Sequence, residues 1–174
     1  MDLQLRGKRT LVTGSTGGIG LAIAKMLAQE SASVAVNGRT ANRVNEALAA
    51  IRRDVADANL TAMAADLSTA EGVDAVVRVS PDFDILVNNL GIYDAKPFFD
   101  ISDAERLRFF ETNVMSGVRL SRAYLPGMLQ RNWGRIVFIS PTLLAKRWGS
   151  LRSTHPIRPS PTVRPRRRPG RRRP

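Results

Sequence analysis

Chemistry is most visible at Thr13-Gly14-Ser15-Thr16-Gly17-Gly18-Ile19-Gly20, which follows a short apolar run and opens an Ala/Leu-rich segment. Where a strand ends in glycines and turns into a helix, several backbone N–H groups lack intrahelical partners and point outward, so the turn attracts anions. Glycine lets a phosphate approach the backbone. Gly14, Gly18 and Gly20 are spaced G-x-x-x-G-x-G, not the G-x-G-x-x-G of the commoner dinucleotide fingerprint. Taken alone, that spacing also fits a tightly packed strand-to-helix turn with no ligand.

The end of the second strand, about 20 residues further on, is where an acid would meet the 2′-hydroxyl of an adenosine ribose. This chain has Asn37-Gly38-Arg39-Thr40 there. A guanidinium grips a 2′-phosphate with paired hydrogen bonds, whereas a carboxylate would repel it, so NADP is favoured over NAD. The competing reading makes Arg39 a solvated turn residue. Asp66, in Ala65-Asp66-Leu67, is placed to accept from an adenine amine, or else caps the next helix with no ligand involved. With Asn88-Asn89-Leu90-Gly91 and Asn113 added, the set reads as the nucleotide-binding half of an oxidoreductase.

These residues must be held by alternating strands and helices, the pattern of a doubly wound parallel sheet covered on both faces. Strands are predicted at Arg9 to Thr13, Ser33 to Asn37, Leu60 to Ala65, Phe83 to Val87 and Arg135 to Ser140. The first helix, Gly18 to Gln29, is predicted to turn Ile19, Ala22, Ile23, Met26 and Leu27 inward. Helices follow at Asn42 to Arg53, with Val44, Leu48 and Ile51 on one face, and at Glu71 to Val79. A long helix spans Asp103 to Arg131, with Ser102 and Glu105 as a capping box, and Pro126 is expected to kink or divide it. Lys96-Pro97-Phe98-Phe99 reads either as the entrance to a substrate site or, preferred, as a surface loop anchored by two buried phenylalanines.

A formal net charge of +12 would ordinarily suggest nucleic acid or another polyanion as partner. Residues 1 to 140, however, hold 16 Lys/Arg against 15 Asp/Glu, while residues 141 to 174 hold 11 Lys/Arg and no acid. The division expected is a nucleotide-binding domain over 1–140 and an Arg/Pro-rich, disordered tail over 141–174. With no cysteine there is no disulfide or thiolate metal site, and the single histidine, His155, falls in the tail, where a solvated role is expected rather than a metal. The opening Met1-Asp2-Leu3-Gln4-Leu5-Arg6 lacks a basic stretch followed by an apolar one, and no apolar run reaches the ~18 residues of a membrane span, so a cytoplasmic protein is expected.

The motifs together resemble the short-chain dehydrogenase/reductase family. The resemblance rests on the glycine motif at Thr13 to Gly20, Asp66-Leu67, Asn88 to Gly91, Asn113 to Gly117, and Gly134-Arg-Ile-Val-Phe-Ile-Ser140. It implies a Rossmann-like α/β fold of about five strands, incomplete at its C-terminal end. It also implies hydride transfer between NADP(H) and a small alcohol or carbonyl substrate. Cofactor contacts carried over from the family fall on Gly14, Ser15, Thr16, Gly18, Ile19, Gly20, Arg39, Asp66, Leu67, Asn88 and Gly91. The family's reactive set is Asn, Ser, Tyr and Lys. Asn113 matches the first, Pro141 occupies the serine position with Ser140 one place early, and no Tyr-x-x-x-Lys occurs in the 174 residues.

The resemblance therefore implies a chain with little or no dehydrogenase activity. It also implies an open, apolar fifth strand, a long helix exposing Phe110, Val114, Val118 or their neighbours, and poor solubility. A homo-oligomer is compatible with the family pattern, although the helices that pair its members are only half present. The tail has three readings: out-of-frame translation after Ser140, a polycation for nucleic acid built on the seven arginines of Arg164 to Arg173, or a genuine short form that binds dinucleotide without turnover. The first is preferred, and nucleic acid is the least favoured of the three because no aromatic residue interleaves those arginines.

Overall fold

A computed structural model of the chain describes residues 3–140. The readings of the tail, of Pro141 and of His155 lie outside the described residues.

Five strands form one parallel sheet in the order β3-β2-β1-β4-β5. They are β1 (Arg9–Val12), β2 (Ser33–Gly38), β3 (Leu60–Ala64), β4 (Ile85–Asn88) and β5 (Arg135–Phe138). Helices α1 (Gly18–Gln29), α2 (Ala41–Asp54), α3 (Ala70–Val79), α4 (Asp103–Phe110) and α5 (Ser116–Gln130) alternate with them. The sheet has a separate apolar core on each face, because successive residues of a strand point to opposite sides. Val12, Val34, Val36, Ile85 and Val87 pack on one side with Ala24 and Ala28 of α1 and Val44, Leu48 and Ile51 of α2. Leu11, Ala35, Met63 and Leu86 pack on the other with Val73 and Val76 of α3 and Leu120, Tyr124 and Met128 of α5. This is the Rossmann-like doubly wound arrangement, and β1 and β4 are its switch point: β1 is followed by β2 on one side, while β4 begins the run on the other.

The α1 face differs from expectation. Its buried residues are Gly20, Ala24 and Ala28, whereas Ile19 and Met26 are 63% and 66% exposed. Close approach to the sheet selects for small side chains rather than for apolarity: a Cβ on Gly20 would lie 2.5 Å from the Gly14 carbonyl oxygen. The long helix is also interrupted elsewhere than predicted. It runs through Pro126 without a break, and the change of hydrogen bonding falls at a π-helical segment, Glu111–Met115, between α4 and α5. Pro126 and Arg122, whose carbonyl the proline ring leaves without a donor, are both exposed, so water can serve that carbonyl. The Ser102/Glu105 capping box is present.

Phe98 and Phe99 correct the preferred reading of their loop. They are 67% and 93% exposed and stack edge to face on each other at 5.4 Å, with the Arg106 guanidinium 4.7 Å above Phe98. Phe110 and Val114 are exposed as expected, while Val118 is half-buried. Strand β5 is an edge of the described sheet, with Val137 and Phe138 exposed. No helix among the described residues is long and apolar enough to cross a membrane.

Candidate functional site

The glycine-rich turn leaves β1 at the switch point, where ligands of open α/β sheets bind beyond the C-terminal ends of the strands. It is held by buried and half-buried polar side chains at the ends of three strands. Thr13 Oγ1 accepts from the Asn89 and Leu90 amides at 2.9 and 2.8 Å, and Asn89 Nδ2 donates to the Thr13 and Gly14 carbonyls at 3.0 and 3.1 Å. From the other side, Asn37 Oδ1 accepts from the Gly14 amide at 3.1 Å. Asn37 Nδ2 donates to the carbonyls of Met63 and Ala65 at 2.9 and 3.1 Å, which ties the turn to the end of β3 as well.

Gly14 and Gly18 have φ of +60° and +53°, a region that side-chain-bearing residues avoid. A Cβ on Gly18 would meet nothing within 4 Å, so the turn is open above. The first turn of α1 has no side-chain cap and no acidic residue, and its amides are available to an outside acceptor. Ser15 and Leu67 do not offer their side chains to a ligand. Ser15 is fully buried: its hydroxyl donates to the Val12 carbonyl at 2.7 Å and accepts from the Asn37 amide at 2.8 Å. Leu67 is 1% exposed in the core. At both positions the side chain is withheld from a ligand, and the Ser15 amide is spent as well, donating to the Asn37 carbonyl at 2.8 Å.

Gly38 lies under the Thr16 methyl group, which any Cβ at 38 would overlap. The next residue, Arg39, is exposed, and no hydrogen bond or ion pair to it occurs among the described residues. Asp66 does not cap α3. That role belongs to Thr69, whose hydroxyl accepts from the Gly72 amide at 3.0 Å. Asp66 Oδ1 instead accepts from the Ser68 amide and hydroxyl at 3.0 and 2.7 Å, closing a tight turn, while Oδ2 has no partner among the described residues.

At the other end of the site, Asn113 sits in the π-helical segment. Its Oδ1 accepts from the Ile92 amide at 2.7 Å and its Nδ2 donates to the Ile92 carbonyl at 3.0 Å, so both backbone groups of one loop residue fix its side chain. Gly91 is under the same side chain: a Cβ there would be 3.3 Å from Asn113 Oδ1. Asn88 is buried against Gly117 of α5, with neither side-chain polar atom hydrogen-bonded among the described residues. Ser140, two residues past β5, is exposed and makes no hydrogen bond among the described residues.

Tyr124 is unsuited to proton transfer at this site. It is a buried residue of α5, packed in the core with α3; its hydroxyl donates to the Ser80 carbonyl at 3.1 Å, and burial raises its pKa to about 12. Lys96 pairs with Glu105 and with Asp94; the hydrogen bond it donates to Glu105 raises the lysine, and the same contact with the capping-box bonds lowers Glu105 to about 2.

The description of the family model that matches residues 8–150 is short chain dehydrogenase. The chain belongs to the short chain dehydrogenase family. The match runs ten residues beyond Ser140, so the family likeness does not stop where the motif reading placed its end. An uncharacterised oxidoreductase of Bacillus subtilis strain 168, YvaG, is 50% identical over 140 residues, which cover 80% of this chain and 53% of that protein. The D-beta-hydroxybutyrate dehydrogenase of Cupriavidus necator is 38% identical over 142 residues, 79% of this chain and 54% of the relative. Among solved structures, L-sorbose reductase from Gluconobacter frateurii, complexed with NADPH and L-sorbose, superposes with a TM-score of 0.73 at 35% identity, covering 79% of this chain and 54% of the other. The chain thus spans about half the length of the curated relatives it matches.

Sequence reasoning missed Asn37 as an organiser of the site. A signal was present: an asparagine ending the otherwise apolar run Val34-Ala35-Val36 cannot be buried without partners. Its partners are the turn and β3, and no linear motif shows that.

Proposed function

We propose that this chain binds NADP(H) across the C-terminal ends of β1, β2 and β4. In the intact catalytic arrangement of its family, the reaction would be reversible hydride transfer with a small alcohol or carbonyl compound. The observation that carries the reading is Arg39, an exposed guanidinium directly after β2 with no partner among the described residues, beside a glycine turn with open, uncapped amides. The cradle fits such a ligand because Gly14 and Gly18 adopt positive φ and Gly38 leaves room for Thr16 to fold over the strand end. The bound dinucleotide supplies the hydride chemistry. The chain's own residues orient it: the first-turn amides of α1 take the pyrophosphate, Arg39 the 2′-phosphate, Asp66 Oδ2 the adenine amine, and Asn113 holds the loop at Ile92 near the reactive end.

With no Tyr-x-x-x-Lys in its sequence and Tyr124 committed to the core, the 174-residue chain is a binder of the cofactor rather than an efficient catalyst. Titration with NADPH and NADH tests the reading. NADPH should bind at least tenfold more tightly, and Arg39→Ala should remove most of that preference, as expected for loss of a charge-assisted contact of about 1.5 kcal/mol or more. Equal affinities in the wild-type chain, or no binding of either at millimolar concentration, would sink it.

A further inference from the structure

We propose that Arg119 is a positioning residue for the adenosine end of the site, acting through Ser68 on Asp66. The inference rests on the nucleotide-binding reading above. Arg119 lies on α5, far in sequence from the turn after β3, yet its side chain is only 22% exposed and reaches that turn. One arm of its guanidinium, Nη1, donates to the Ser68 carbonyl at 3.3 Å. The other arm, Nη2, donates to Glu111 Oε2 at 2.6 Å, which fixes the plane of the group. A fork anchored at one arm loses less freedom when the other arm makes its bond.

Ser68 is thereby gripped from both sides. Its amide and hydroxyl donate to Asp66 Oδ1, and its carbonyl accepts from Arg119. Because Oδ1 is spent on Ser68, the direction of Oδ2 follows the position of Ser68. The backbone of Asp66 has little freedom to compensate, since its carbonyl accepts from both the amide and the hydroxyl of Thr69, at 3.2 and 3.1 Å. A Cβ on Gly72 would overlap that same carbonyl, so α3 presses directly on the turn. Glu111, the anchor of the other arm, opens the π-helical segment that carries Asn113. Arg119 therefore joins the turn for adenine to the segment for the reactive end through one guanidinium.

The test uses the full chain and two probes: adenosine 2′,5′-bisphosphate, which needs Asp66 and Arg39, and inorganic pyrophosphate, which needs only the glycine turn. Arg119→Ala should weaken the bisphosphate about fivefold and leave pyrophosphate within twofold, the loss expected of an indirect contact to a charged group. In an Asp66→Ala background the same substitution should have no further effect, because the pathway runs through that carboxylate. Arg119→Lys, which reaches one partner instead of two, should fall between and provides the same comparison if the alanine variant does not fold. Undiminished bisphosphate binding in Arg119→Ala, with a clear loss in Arg39→Ala, would overturn this inference and leave the cofactor reading standing. Equal weakening of both probes would also overturn it, by making Arg119 a general structural tie. No bisphosphate binding by the wild-type chain would overturn the cofactor reading and this inference with it.

Discussion

The two ends of the site are built differently. At the glycine turn, Thr13, Ser15, Asn37 and Asn89 cross-bond three strands and the turn, and all four side chains are buried or half-buried. At the reactive end, Asn113 and Ser140 are exposed, the intervening loop carries Phe98 and Phe99 in solvent, and its contacts with the helical segments that follow are made by exposed groups: Asn113 to Ile92, Lys96 to Glu105 and Arg106 to Phe98. Buried polar networks are rigid and costly to break, whereas exposed single contacts are worth little each. The glycine-turn end is thus preorganised by a shared network, while the other end has a positioned asparagine and a sequence without Tyr-x-x-x-Lys to go with it.

The largest expected effect of that asymmetry is on turnover. A general acid contributes roughly 10²- to 10⁴-fold, so the 174-residue chain given NADPH and a panel of ketones should run at least about a hundredfold below a family member containing Tyr-x-x-x-Lys. Robust rates would show that another group delivers the proton and would erase the contrast between the two ends.

Breaking the well-built end should come next in size. Gly14→Val places a β-branched residue at φ +60° with its Cβ 3.2 Å from Leu90 Cα, in a region that costs such residues about 1–2 kcal/mol before any clash. Cofactor binding should fall below detection. Retained NADPH affinity would mean that the turn is only a packing device, the ligand-free reading of the same glycines. Asn37→Ala should then cost about 2–4 kcal/mol, because it strands the Gly14 amide and the Met63 and Ala65 carbonyls away from their partner. A lowered urea midpoint at unchanged slope would register it; a midpoint within experimental error of wild type would mean water replaces the amide and that the network is looser than its burial implies.

How much of this was legible in the sequence depends on what kind of rule each residue obeys. Strand and helix positions follow from local periodicity, so α1 over Gly18–Gln29 and the Ser102 cap appear in the sequence as they do in the fold. The buried face of α1 does not, since packing against Gly14 and Asn89 selects glycine and alanine where a hydrophobicity pattern favours Ile19 and Met26. The π-helical segment was illegible for a related reason: it accompanies the pairing of Asn113 with Ile92, 21 residues away, whereas Pro126 breaks a local rule on a surface where water absorbs the consequence. The site residues were found by type but their uses were not. Ser15, Leu67 and Asn88 turn inward, Asp66 shapes a turn rather than capping a helix, and the roles of Asn37 and Arg119 arise only once distant strands and helices meet.

The smallest expected effect concerns the thinly held end and its response to pH. Glu105 is lowered from 4.5 to about 2 chiefly by its hydrogen bond from Lys96, with further help from the Ser102 amide and hydroxyl. A carboxylate whose pKa is depressed by folding contributes stability above its unfolded value and loses it as pH falls through the folded one, so the contribution should fade between about 4.5 and 2. The lysine half has the opposite sign: Lys96 is raised above 10.5, so its share is present at neutral pH and declines in alkali. Because the pair is exposed, the effect should be local: the start of α4 and the Phe98/Phe99 loop should loosen in acid while both sheet cores stay intact. Amide shifts of Ser102 and Glu105, followed from pH 6 downward, would report it. Glu105→Gln should abolish the step and keep the helix capped, since glutamine serves the same place in a capping box. A step that persists in Glu105→Gln would assign the acid response to another carboxylate and leave the loop held by something other than Lys96.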